Sequence, residues 1–124
     1  MERKTVSFYG SATARGIVTL ASTRIQRPFT VKEIHATFPV GTLNLLLLRF
    51  YLSGDAHAPT TGLPSGTSLL QDYGQVDYLT GDGTRKVTDH EVGVETGGHY
   101  LKVHATNNDW YAHAIDVQII IETP

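Results

Sequence analysis

Asp89-His90-Glu91 is the segment of this chain whose residue types come nearest to a catalytic constellation. In an extended strand, alternation sets the two carboxylates on one face about 7 Å apart, within the range of paired glycosidase acids. General acid work also needs a pocket that keeps one carboxyl protonated, and none is evident around either acid. A solvated strand face or a salt bridge is therefore the expected role.

The six histidines, His35, His57, His90, His99, His104 and His113, raise the question of a metal centre. Ligands on one strand must stand at i and i+2 to share a face, and no two histidines do. His99 and His104, five residues apart, point to opposite faces of one strand. His113 falls on the inward register of the last apolar segment, where a histidine hydrogen-bonded to backbone or a hydroxyl is the ordinary finding. The chain contains no cysteine, which removes disulfides, thiolate metal sites and cysteine nucleophiles. It also has no Gly-x-Ser-x-Gly elbow, phosphate loop, dinucleotide fingerprint or His-Glu-x-x-His. No enzyme chemistry, metal or cofactor is expected.

Binding signals sit in two places. The stretch from Ser53 to Gly66, with Asp55 and His57 near its start, is long for a connection in a small domain, and such loops often make contacts. Asn107-Asn108-Asp109-Trp110, with Asp82 as a candidate neighbour, has the composition of a sugar-binding or calcium-binding tip. The ordinary expectation for Trp110 is a plug closing the end of the fold.

Such residues need a scaffold, and its clearest element is the last. Tyr111, His113, Ile115, Val117, Ile119 and Ile121 alternate with Ala112, Ala114, Asp116, Gln118 and Ile120, the period of a long strand with one buried face. Turn residues divide the rest into segments near 3–9, 14–21, 29–38, 43–53, 75–80, 85–94 and 98–106. Asp82-Gly83, Gly97-Gly98 and Asn107-Asn108-Asp109 read as tight connections between hairpin strands. The reading is an all-β, eight-stranded antiparallel sandwich of jelly-roll type, one domain over residues 1–124, with 1–12 as an N-terminal arm or edge strand. If successive strands reverse direction, the long loop after residue 53 lies at the opposite end from Asp82 and Trp110.

Leu43–Leu52 fits either period. Its brevity, its flanking turns and its lack of a charged face favour a strand over a helix. Leu46, Leu48, Phe50 and Leu52 then line one face and Leu43, Leu45, Leu47 and Tyr51 the other. A sandwich strand buries one face, so the second must be covered by a loop, an arm or another subunit. Leu43, Leu45, Leu47 and Tyr51 are thus the candidate oligomer interface.

Size and charge set outer bounds. The 124 residues are enough for a self-sufficient core, and 18% charged residues is low for a fully solvated surface. Net charge is −2, yet residues 1–32 carry six Lys/Arg against Glu2 alone. Neutralisation between neighbouring strands is the ordinary outcome. Arg3, Lys4, Arg24 and Arg27, with Asp55, His57 and Trp110, are the candidate partner-binding residues. The cations are scattered without interleaved aromatics, so nucleic acid is not expected. The N-terminus lacks an apolar signal core and Leu43–Leu52 is half a membrane span, so a soluble product made in the cytoplasm is expected, with no membrane contact.

The chain resembles the small jelly-roll structural proteins of tailed-phage and other virus particles, including capsid decoration proteins. The resemblance lies in the Thr-rich, Cys-free β pattern, the two-sided segment Leu43–Leu52, and the run Tyr100–Trp110 followed by a long terminal strand. It implies a non-enzymatic virion subunit that binds a preformed lattice as a homo-oligomer, often a trimer, and clamps shell subunits such as a major capsid protein. A basic N-terminal region would suit an acidic shell. Two other readings stand beside it. One is a carbohydrate-binding module stacking sugars on Trp110, Tyr111 or Tyr73; the other is a cupin-like or hydrolytic enzyme using Asp89, Glu91 or the histidines.

Overall fold

The structure is a computed structural model and describes residues 2–55, 57, 62–64, 66–70 and 78–123, apart from the side chain of Glu91. Its strands are β1 Glu2–Ala12, β2 Ile17–Ala21, β3 Phe29–Phe38, β4 Leu46–Ser53, β5 Thr67–Ser68, β6 Thr84–Val94, β7 Tyr100–Asn107 and β8 His113–Thr123. They form two four-stranded antiparallel sheets, ordered β1-β8-β3-β6 and β2-β7-β4-β5. The pairs β1–β8, β2–β7, β3–β6 and β4–β5 are nested, as in one long hairpin rolled up around its β4–β5 tip. This is the all-β jelly-roll sandwich that the alternation and turn spacing predict.

The predicted hairpins are not formed. β4 and β5 are the one consecutive pair that shares a ladder; every other connection passes from one sheet to the other. Asp82-Gly83 makes its tight turn, with Gly83 at φ 59°, but Leu79 before it bridges Leu48 of the second sheet while β6 belongs to the first. Turn chemistry sets a local bend. It does not select the sheet that receives the outgoing strand. Of the predicted 75–80 strand, residues 75–77 lie outside the described residues, and the fifth strand described is the short Thr67–Ser68.

β4 is a strand, but it begins at Leu46 instead of residue 43. Leu43 and Asn44 have left-handed backbone, φ 49° and 61°, inside a turn in which Thr42 Oγ1 donates to the Gly81 carbonyl at 2.6 Å and Leu45 N–H to the Thr42 carbonyl at 2.8 Å. Likewise β2 begins at Ile17 and β8 at His113, because 13–16 and 108–112 are loops.

β3 carries a β-bulge. Phe29 and Val31 face the core, and so do Ile34, Ala36 and Phe38, an odd-to-even change of phase made possible by the register shift between Val31 and Glu33 against both β6 and β8. The shift also breaks simple alternation near Asp89, which pairs with Glu33, whereas Val92 pairs with Val31. The face shared by Asp89 and Glu91, assumed from a regular strand, does not follow from this ladder.

Between the sheets lies one core that includes Phe8, Val31, Ile34, Phe38, Leu46, Leu48, Phe50, Leu101, Val103, Val117 and Ile119. Each such side chain contributes about 1.5–3 kcal/mol by leaving water. As predicted for β8, Ile115, Val117, Ile119 and Ile121 are buried.

Candidate interaction site

Four connections meet at one end of the sandwich: 13–16, 39–45, 80–83 and 108–112. Backbone hydrogen bonds join them, from Arg15 to Asp109 at 2.9 Å, Asn44 to Gly81 at 3.1 Å, Gly83 to Pro39 at 3.2 Å and Asn108 to Leu45 at 2.9 Å. Asn107, buried at the end of β7, is their hub. Its Nδ2 donates to the carbonyls of Ala12, Thr13 and Tyr111 at 3.2, 3.1 and 2.8 Å, and its Oδ1 accepts from Asp109 N–H at 2.9 Å. The Asp82 carboxylate accepts from Gly41 N–H at 2.8 Å, so it holds a turn at this end.

On that framework stand four of the exposed large apolar residues. Val40 is 89% exposed, Leu43 63%, Trp110 75% and Tyr111 74%. Trp110 is therefore no plug, and Tyr111 does not face the core. The Arg15 guanidinium lies 4.9 Å from the Trp110 ring centroid and donates from Nη1 to the Asn108 carbonyl at 3.0 Å. Arg15, Leu43 and Asn44 are the non-glycine residues with positive φ among the described residues, and all three lie in these loops. Strained backbone and uncovered apolar side chains on one surface are the marks of an interaction site.

Asp109 and His113 sit beneath the tip. His113 Nε2 lies 2.8 Å from Asp109 Oδ2, and Trp110 N–H donates to Asp109 Oδ1 at 2.7 Å. The His113 hydrogen bond, ahead of the backbone N–H, holds the Asp109 carboxyl below its ordinary pKa. His113 keeps its inward register, but its partner is a carboxylate and not the backbone or hydroxyl expected. Among the described residues no hydroxyl bonds the imidazole, and the pair serves to fix the loop.

The other predicted residues are dispersed. Leu47 is half-buried on the outer face of the second sheet, adjoining the loop end, and half-buried Leu45 and exposed Leu43 are on the loop itself. Tyr51, further along β4, is buried by the chain itself. It belongs to a covered polar layer: Thr19 Oγ1 lies 2.9 Å from His104 Nδ1, Arg49 stacks 5.4 Å from the Tyr78 ring, and buried Lys102 pairs with Asp55 at 2.8 Å. Burial and then the Arg49 charge lower the His104 pKa. Asp55 also accepts from His57 N–H at 2.9 Å, so both residues stabilise the start of the long connection at the end opposite Trp110, as strand reversal predicts.

The first sheet shows water a polar ladder. Arg85 Nη2 donates to His35 Nδ1 at 2.9 Å and to Gln118 Oε1 at 3.3 Å, and His35 Nε2 lies 3.3 Å from Glu33. Asp89 lines a groove with Arg3, Lys32, Glu33 and His90, a mixture of charges that neutralise one another, while His90 Nε2 bonds Thr88 Oγ1 at 2.8 Å. Among the described residues no three His, Asp or Glu side chains are grouped to hold a metal ion. Arg3 pairs with Glu122 at 3.4 Å. Lys4, Arg24 and Arg27 instead line one groove at the end away from Trp110.

Sequence reasoning named Trp110, Tyr111 and Leu43 but missed Val40 and Arg15. The available signal was apolar residues set among turn residues, in Pro39-Val40-Gly41-Thr42-Leu43-Asn44, where burial is not on offer.

No family model and no curated protein matches this chain. Solved structures share its fold. The Yersinia pseudotuberculosis-derived mitogen is similar over 94% of this chain and 84% of its own, at 13% identity and a TM-score of 0.53. A chain of the cyanophage Pam1 capsid asymmetric unit is similar over 99% and 84%, at 12% identity and 0.52. A chain of the Bacillus endospore appendages, described as disulfide-linked pili, is similar over 98% and 87%, at 14% identity and 0.50. At such identities the likeness is one of fold alone.

Proposed function

We propose that this protein is a non-enzymatic structural subunit of a virus particle, a capsid decoration or cementing protein that acts as a homo-oligomer, with a trimer favoured. The observation that carries this reading is the exposed loop end. Val40, Leu43, Trp110 and Tyr111 form an apolar and aromatic surface on loops that are cross-linked by hydrogen bonds, so docking need order side chains but not the loop backbone. Half-buried Leu45 and Leu47 extend it onto the second sheet, and there the subunits of the oligomer meet. The fold supports the reading, since a phage capsid chain shares it.

Mass spectrometry of gradient-purified particles from cells carrying the gene tests this. A fixed ratio of this chain to the major shell protein is expected; its absence from purified particles would refute the virion assignment.

A sugar-binding reading is favoured by one observation, the exposed neighbours Trp110 and Tyr111. Glycan screening decides it: a saturable hit lost in Trp110→Ala supports that reading, and no hit leaves the loop end to protein contacts.

A further inference from the structure

The groove at the basic end combines three properties. It measures about 340 Å³ and is lined by Lys4, Thr5, Val6, Thr23 to Arg27, Ile121 and Thr123. Its cations, Lys4, Arg24 and Arg27, are exposed and come from two separate elements, β1 and the 22–28 connection; among the described residues no carboxylate side chain lines it. Its apolar members, Val6, Ile25 and Ile121, are partly or fully buried and pack on the core, so they form the floor beneath a cationic rim.

One wall is the edge of a sheet. β1 pairs with β8 alone and closes its sheet, so along eleven residues the peptide groups of its other side have no ladder partner among the described residues. A lysine on an edge strand is a common guard against unwanted pairing. A guard needs only Lys4; Arg24 and Arg27, brought from another element to the same groove, add positive charge where an incoming strand would lie.

We propose that this groove receives an extended acidic segment of a partner protein, added to β1 as a fifth strand of the first sheet. Lys4 and Val6 lie on one face of β1, so alternate residues of that segment on the same face would be acidic and meet Lys4, Arg24 and Arg27, their stems covering Val6 and Ile25, while the intervening residues would face the other way. Main-chain pairing supplies affinity, and the charges select the partner and its register. The groove rests on its own geometry; that a neighbouring shell protein provides the segment rests on the assembly reading above.

The probe is a fluorescent acetyl-(Glu-Val)-repeat peptide amide titrated into the full chain and read by anisotropy. Saturable binding is expected, weakened by about tenfold or more in Arg24→Glu/Arg27→Glu and in Lys4→Glu, with a Lys-Val control peptide silent. Arg85→Glu, on the far edge strand β6, should bind as the wild type does. N-methylation of alternate peptide nitrogens should abolish binding in one phase and spare it in the other, the mark of strand pairing. Absence of saturable binding, equal binding by the charge-reversed variants, or preference for a single-stranded oligonucleotide would overturn the proposal. Solution mass is measured on the same samples. An oligomer that ignores the peptide refutes the groove and spares the assembly reading, whereas a monomer that binds it does the reverse.

Discussion

Arg15 lies over Trp110 with 4.9 Å between guanidinium carbon and ring centroid, joining the β1–β2 and β7–β8 connections across the loop end of the sandwich. The contact covers little of the ring, which remains 75% exposed. An exposed cation–π pair contributes about 0.5–1 kcal/mol. Trp110→Ala should therefore cost about 1 kcal/mol or less in chemical denaturation. Trp110 is the single tryptophan, so acrylamide quenching reports this surface directly. Dilute protein should be strongly quenched and concentrated protein less so as the surface becomes covered; quenching that is weak at every concentration would contradict the exposed site.

Asn107 holds the loops on which that surface is built. Asn107→Asp keeps the shape but turns a buried donor into a carboxylate facing the carbonyls of Ala12, Thr13 and Tyr111. It should cost about 3 kcal/mol or more, against about 0.5 kcal/mol or less for a surface change. Urea denaturation checks this, and a loss below about 1 kcal/mol would mean the hub is dispensable.

His104 and Asp109 each contribute to the acid dependence of stability. His104 is held below its ordinary value of 6.5 by burial and then by Arg49. Its share of stability is complete above 6.5 and is lost as pH falls from there through the lowered folded value. NMR titration of its ring should give a midpoint below 6.5, and a midpoint at or above it would contradict the buried placement. Asp109, lowered from 3.8 chiefly by the His113 hydrogen bond, contributes in full above 3.8 and loses its contribution as pH falls through its own lowered value. Asp109→Asn should be less stable than wild type near neutrality, and the two melting curves should converge in strong acid.

Lys102 is fully buried and Asp55, its partner at 2.8 Å, has a side chain 55% exposed. Removing the two is not equivalent. Asp55→Ala takes a carboxylate from a buried ammonium and should cost about 3 kcal/mol or more. Lys102→Ala removes that charge together with its need for a partner but empties the space its stem fills, and should cost about 2–4 kcal/mol. Thermal melts of both variants check this; a loss below about 1 kcal/mol in Asp55→Ala would mean that the ammonium does not depend on this carboxylate.

The architecture was legible where one physical rule acted alone. In β8 alternation ran unbroken from Ile115 to Ile121, and burial followed it. In β3 the change of phase between Val31 and Ile34 was also visible as apolar residues switching from odd to even positions, but a bulge has no local turn residue to announce it. The sheet crossings were invisible, because Asp82-Gly83 demands the same backbone whether the next strand pairs with its predecessor or leaves for the other sheet. Leu43 shows how the site escaped: its pattern continued the apolar strand, while the Thr42 and Gly81 hydrogen bonds that bend it away are long-range facts. Lys4, Arg24 and Arg27 were singled out by charge, yet their convergence depends on β1 and the β2–β3 connection meeting at one edge.

Self-association through the loop end is the central claim, and solution mass by multi-angle light scattering across a concentration series tests it. The account predicts a closed homo-oligomer, a trimer, that becomes a folded monomer in Leu43→Glu. A wild-type chain that stays monomeric at every concentration, or an oligomer untouched by Leu43→Glu, would contradict it.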